Sequence, residues 1–267
     1  MKNSSVKDLV LITGASAGIG YEMAKQLAEK KYDLVLVARN IDKLRSIKQS
    51  LEKEHGITVH IFRSDLAEKE NAMALYKQIK SEKLEITMLV NNAGSGLYGS
   101  FTETSLNDEL AMIDLNVSSL VILTKLFVQD MVKRGYGRIM NLASLLSFLQ
   151  FPYYSIYSAT KTFVLTFSET LAAELEGTGV IITALCPGPV DTGFHSKEML
   201  NTNAYKVNKP VDVTKVAKKG VDLLLNGKGK KIVGFNNWFI SNLPRITPDK
   251  IMMRIKKNLS SQRTIKA

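Results

Sequence analysis

An α/β fold, a doubly wound parallel sheet with helices on both faces, is what this sequence predicts. Three observations carry it. Short β-branched runs, nearly all apolar, recur along the chain. Each is followed by a stretch of helix length. A glycine-rich turn joins the first run to the first helical stretch. Strands buried on both faces read as continuous apolar runs, and strand–helix alternation is how parallel sheets are wound. No internal repeat, low-complexity tract or Pro/Ser linker interrupts the 267 residues, so a single domain over 1–267 is expected.

The elements follow in order. Residues 9–12 read as a strand and 18–30 as a helix. Residues 34–37 form a second strand, and 57–62 a third after the helix around 44–51. Residues 86–90, 138–142 and 180–185 continue the series, with 231–233 the last strand. The helix at 108–133 is apolar on more than one face, as is 156–175. Such a helix is either deeply buried or shared with a second subunit, and a homodimer or homotetramer is expected. Residues 190–210 break the rhythm and read as a loop.

Composition narrows the function. An apolar content of 45% supports a sizeable core. The one cysteine, Cys186, allows no internal disulfide. His55, His60 and His195 show no metal-ligand spacing, so no metal is expected. There is no apolar leader, and no run approaches the ~18 apolar residues of a membrane span. A cytoplasmic protein is the expectation. The net charge of +11 is concentrated: residues 206–267 hold 15 Lys and Arg against 3 Asp and Glu. The body is therefore nearly neutral, which argues against a nucleic-acid-binding fold.

Gly14, Gly18 and Gly20 lie between the first strand and first helix, with Ser16, Ala17 and Ile19 completing the turn. Missing β-carbons let backbone approach a phosphate, and the helix N-terminus offers free N–H groups. The turn suits a dinucleotide. NAD binders place an acid at the end of the second strand; here that strand ends in Arg39 and Asn40. A guanidinium there pairs with a 2′-phosphate, which predicts NADP(H) over NAD.

Tyr157 and Lys161 are one helical turn apart and share a face. A nearby ammonium favours the phenolate and lowers the tyrosine pKa, so the pair can move a proton. Ser144 follows a strand, at the edge where ligands of such sheets bind, and its hydroxyl can hold a carbonyl oxygen.

With these residues in hand, the chain resembles the short-chain dehydrogenase/reductase family. The matching elements are Thr13-Gly-x-x-x-Gly-Ile-Gly20, Asp65-Leu66, Asn91-Asn-Ala-Gly94, Asn116, Ser144, Tyr157-x-x-x-Lys161 and Pro187-Gly188-x-Val190-x-Thr192. They occur in family order over roughly residues 8–192. The resemblance implies a Rossmann-type fold and NADP-preferring carbonyl reductase chemistry. Tyr157 would be the general acid/base, Lys161 would lower its pKa and hold the nicotinamide ribose, and Ser144 would orient the carbonyl. Asn116 would hold a water relaying protons to Lys161. Asp65 and Leu66 would flank the adenine, with Asn92, Ala93 and Gly94 along its ribose. Pro187, Gly188, Val190 and Thr192 would bracket the nicotinamide. The family's second basic position in the turn is missing, so NADP preference rests on Arg39.

Residues 190–210 match the family's substrate-covering region. Ser144, Leu145, Tyr154 and Phe194 are the expected substrate contacts, an apolar set that suits a hydrophobic ketone or aldehyde. Residues 235–267 form a basic extension beyond the common core. Within it Thr247 reads as an N-cap with Pro248 at N1, and Ile251, Met252, Ile255 and Leu259 share one helix face. The favoured reading is a helix docked on its own domain or on a sister subunit; contact with an anionic membrane, serving a reductase of lipid-borne carbonyls, is the alternative. A non-catalytic nucleotide-binding regulator is the other rival. Its signature, loss of Tyr157, Lys161 or Ser144, is not present.

Overall fold

Six short apolar runs and an exposed edge segment become seven parallel strands. The computed structural model describes residues 8–262. The strands are β1 Leu9–Thr13, β2 Asp33–Ala38, β3 Val59–Arg63, β4 Met88–Asn91, β5 Gly137–Leu142, β6 Val180–Cys186 and β7 Gly229–Ile232. They form one sheet in the order β3-β2-β1-β4-β5-β6-β7, and every pairing is parallel.

The connecting helices are α1 Gly18–Glu29, α2 Ile41–His55, α3 Lys69–Ser81, α4 Leu106–Ile113, α5 Ser119–Arg134, α6 Ser155–Glu174, α7 Lys197–Leu200, α8 Asn203–Val207, α9 Val213–Asn226, α10 Phe235–Asn242 and α11 Asp249–Ser260. Strand residues point alternately to opposite faces. Val10 and Ile12 of β1 accordingly join Met23, Leu27, Leu44 and Val221 from α1, α2 and α9. Leu9 and Leu11 join Leu75, Ile79, Leu123 and Phe127 from α3 and α5 on the other face. Chain order reverses between β1 and β4, and at such a switch point the strand ends open into a crevice. The glycine turn leaves β1 there, and Asn92, Ala93 and Gly94 leave β4 beside it.

Four expectations change. Residues 190–210 are not a plain loop, since α7 and α8 form within them. The single helix at 108–133 is α4 and α5 joined through a π-helical turn, Asp114–Ser118. The whole stretch Leu106–Arg134 is long and apolar enough to cross a membrane by length and composition alone, but Leu120, Leu123, Phe127 and Met131 are buried, with Leu123, Phe127 and Met131 in the core beneath the sheet. Thr247 does not cap α11; the cap is Pro248, without a side-chain bond. Finally, α11 docks through Met252, Lys256 and Ser260, leaving Ile251 and Ile255 about half exposed. Met252 and Leu259 of the expected face do pack on the domain, but the docked stripe is rotated from that face towards Lys256 and Ser260.

Candidate active site

The dinucleotide half rests on what glycine permits. Gly14 has φ +65°, a left-handed conformation that other residues rarely hold. A Cβ on Gly20 would lie 2.6 Å from the Gly14 carbonyl and collide with the Asn92 side-chain amide. Asn92 Nδ2 donates to the Thr13 carbonyl at 2.8 Å and the Gly14 carbonyl at 3.2 Å, so Asn92 braces the turn from below. Above it, α1 begins at Ala17 with no side-chain cap and no acid in its first turn. Its leading N–H groups and positive dipole end therefore face outward undiminished, which fits a pyrophosphate. Ser16 and Ile19 are partly buried around that opening, with Gly18 3.4 Å from Thr192 Cγ2 when given a Cβ.

At the outer end, Arg39 is 78% exposed and stands 4.0 Å from Asp65 Oδ2. This pair is loose enough for the guanidinium to swing to a phosphate, since exposed pairs of this kind contribute little. Asn40 is committed elsewhere: its Oδ1 accepts from Lys43 N–H at 3.0 Å and caps α2. Leu66 is buried, its carbonyl accepting from Ser119 Oγ at 2.6 Å.

Catalytic candidates converge past the end of β5. Ser144 caps a tight turn over Leu145–Ser147, accepting from Leu146 N–H at 3.1 Å. Ser147 Oγ accepts from Ser144 N–H at 3.3 Å and donates to the Lys161 carbonyl at 2.7 Å. That hydroxyl, overlooked in the sequence, ties the serine turn to α6. Tyr157 projects from α6 with its phenol near enough to Ser144 for that hydroxyl to favour the charged form. Lys161 is buried, with Nζ 5.9 Å from the Tyr157 ring centre and donating to the Leu142 carbonyl at 2.8 Å.

Here the expected electrostatics reverse. Burial pushes the Tyr157 phenol up to about 12, opposed only by the Ser144 hydroxyl. Burial also lowers Lys161 to about 8. Desolvation of each group outweighs their mutual influence, and the ammonium is aimed at the Leu142 carbonyl. The lysine therefore does not make the phenol acidic in this arrangement.

Asn116 lies in the π-helical turn, a distortion frequent at functional sites. Its Oδ1 accepts from Ser95 N–H at 3.0 Å, and its Nδ2 donates to the Ser95 carbonyl at 2.9 Å and Thr160 Oγ1 at 3.1 Å. Its polar atoms thus hold the β4 loop against α6. A Cβ on Gly94 would sit 3.1 Å from Asn116 Oδ1 and 3.4 Å from Lys161 Nζ. The bare glycine keeps that polar cleft open to a ribose.

The far wall is apolar. Leu145 and Tyr154 pack with Leu149, Phe151, Met199 and Met252, with Tyr157, Ile240 and Leu243 against them. Phe194 reaches over Tyr157 at 5.9 Å between ring centres and touches Gly96, where a Cβ would meet it at 2.9 Å. The C-terminal segment is thus part of the site. Asn237 of α10 is buried against Gly188, donates to the Val233 carbonyl at 2.7 Å and accepts from Asn208 Nδ2 at 2.7 Å. Pro187 accepts from Leu145 N–H at 2.7 Å, and Val190 pairs with Val211. No motif marked Asn237 or Met252; each acts through partners remote in sequence. Among the described residues there is no cluster suited to a metal ion.

The chain is similar to known proteins over most of its length. The family model described as short chain dehydrogenase matches residues 8–203. The chain is 36% identical over 193 residues to 17-beta-hydroxysteroid dehydrogenase type 3 of Mus musculus, a match covering 70% of this chain and 62% of the mouse protein. It is 32% identical over 258 residues to the very-long-chain 3-oxoacyl-CoA reductase of Homo sapiens, covering 93% and 79% respectively. A solved short-chain dehydrogenase from Sphingobium yanoikuyae in complex with NADPH superposes with a TM-score of 0.79 at 28% identity, covering 97% of this chain and 98% of that one.

Proposed function

Because the chain belongs to the short chain dehydrogenase family, oxidoreductases acting between CH–OH and C=O groups, we propose that it is an NADP(H)-dependent reductase of a bulky, hydrophobic ketone or aldehyde. One observation carries the reading: the Ser144–Tyr157–Lys161 cluster opens onto a wall of Leu145, Tyr154, Met199 and Met252. Arg39 in place of an acid, the uncapped start of α1 and the NADPH held by the Sphingobium protein support the choice of cofactor. The names of the mouse and human relatives, a steroid dehydrogenase and a long-acyl reductase, support a large apolar substrate.

When bound, NADPH supplies the hydride that reaches the carbonyl carbon. Ser144 donates a hydrogen bond to the carbonyl oxygen and holds it beside Tyr157. The Tyr157 hydroxyl, kept protonated by burial, gives its proton to that oxygen as negative charge develops. Lys161, at about 8 and one turn along α6 from Tyr157, would hold the nicotinamide ribose and pass protons on near neutrality. Phe194 and the α7–α8 segment exclude water from the reacting carbon. Outward-facing Leu106, Leu110 and Phe163 on α4 and α6 support a homodimer or homotetramer.

The test is NADPH oxidation across steroid, 3-oxoacyl, sugar and small aromatic carbonyls. The reading expects steroid-sized or long-acyl ketones to be turned over far better than sugars. A preference for sugars would overturn the substrate class, and no NADPH consumption with any carbonyl would favour the regulator.

A further inference from the structure

The inner side of α10 and α11 lines the substrate wall; their outer side is exposed and apolar among the described residues. Asn237 and Ser241 anchor α10 inward, turning Phe235, Trp238 and Phe239 outward at 78%, 52% and 56% exposure. The Phe235 and Trp238 rings stack at 5.9 Å. Ile246 follows at 80%, then Ile251, Met253 and Ile255 on α11, all about half exposed, with Val207 of α8 beside them in the fold. Sporadic apolar exposure is ordinary, but eight such side chains on one short segment and the helix it packs against are not.

Charge accompanies them. Lys206, Lys209, Arg245, Lys250, Arg254 and Lys257 are all exposed. Among the described residues none of the six takes part in an ion pair. Asp249 is the one acid between residues 235 and 262. Aromatic and aliphatic side chains interleaved with unpaired cations are what an interfacial helix presents to anionic headgroups. A second copy of the chain fits less well, because a two-fold contact would set the same cations against each other. A single-stranded nucleic acid would use the rings by stacking but leave Ile246, Ile251, Met253 and Ile255 without a role.

We propose that the outer side of α10 and α11 docks the enzyme on an anionic lipid bilayer, and that the wall behind it receives a carbonyl lipid from that surface. The second half rests on the reductase reading above; the first does not. Because Met252, Ile240 and Leu243 face Tyr154 and Tyr157 while their neighbours face outward, docking and substrate access use the same two helices.

Trp238 is the only tryptophan of the chain, so its fluorescence reports the surface directly. The full-length protein is titrated with phosphatidylcholine vesicles containing phosphatidylserine, and with phosphatidylcholine vesicles alone, at low and high salt. The proposal expects a blue shift and co-sedimentation with the anionic vesicles, both weakened by salt. The triple variant Arg245→Glu, Lys250→Glu, Arg254→Glu should bind those vesicles about a hundredfold more weakly, while its NADPH oxidation with a soluble ketone is unchanged. Absence of any shift or co-sedimentation would overturn docking, as would vesicle binding indifferent to the charge reversals. Concentration-dependent dimerisation abolished by the triple variant, without vesicle binding, would assign the surface to a second copy. Vesicle binding without ketone reduction would retain the docking surface and remove only the reductase reading.

Discussion

The cofactor half and the substrate half of this molecule are built by opposite rules. Around β1 and α1 the demands are mostly local: a turn needs φ +65° at Gly14, and Gly20 must lack a Cβ beside the Gly14 carbonyl, with Asn92 bracing the turn from the end of β4. Around α10 and α11 every demand is remote: Asn237 acts on Gly188 and Asn208, and Met252 packs beside Leu145 and Tyr154. The lesson is that a phosphate site can be specified by one turn of backbone, whereas a substrate wall is specified by where distant helices land. Substrate choice can then change without disturbing the cofactor site.

Substitutions on each side should break or sharpen that division. Of the substitutions that separate the two halves, Gly20→Ala should have the largest effect, forcing Asn92 and the Gly14 carbonyl apart; NADPH affinity should fall by about a hundredfold or more, with a stability loss of about 2 kcal/mol. Isothermal titration and thermal melts measure both, and wild-type affinity would show that the turn has room. Asn237→Ala should cost about 2 kcal/mol through its unmade buried bonds, raising the substrate KM while the NADPH KM stays level. Equal changes in both constants would blur the two halves. Arg39→Asp should shift the NADPH/NADH preference by about tenfold or more toward NADH by removing one charge-assisted contact. An unchanged ratio would free Arg39 of that role.

The smallest effect, per step, is in pH. With Tyr157 raised to about 12, the phenol stays protonated through the neutral range, so reduction should be nearly level from pH 6 to 7.5. Oxidation needs the phenolate, whose fraction grows tenfold per pH unit below the pKa. Alcohol oxidation should therefore climb steadily from pH 7 to 9. A plateau near pH 7 would mean the bound cofactor or substrate lowers the phenol far more than its surroundings here do.

What could be read in advance follows the same division. Apolar runs marked β1 to β6 and the doubly wound sheet, because parallel strands buried on both faces leave that pattern in sequence, whereas β7, Gly229–Ile232, is largely exposed and its bounds shifted from the expected 231–233. Helical spacing put Tyr157 and Lys161 on one face of α6, and the glycines marked the turn. The phenol's raised pKa was not legible, since desolvation depends on what packs around the pair. Ser147, whose hydroxyl joins the serine turn to α6, looks like any loop serine. In α11 only half of the expected face docks: Met252 and Leu259 meet the domain, while Lys256 and Ser260 are buried in place of Ile251 and Ile255. Sequence periodicity reports what a helix can bury, not what it is offered.

The central claim is that the Tyr157 hydroxyl supplies the proton to the substrate oxygen. Tyr157→Phe, assayed for NADPH affinity by cofactor fluorescence and for single-turnover ketone reduction in the same preparation, tests it most directly. The account predicts unchanged NADPH affinity and a reduction rate lower by about a thousandfold. A rate within a few fold of wild type, with NADPH bound normally, would contradict it.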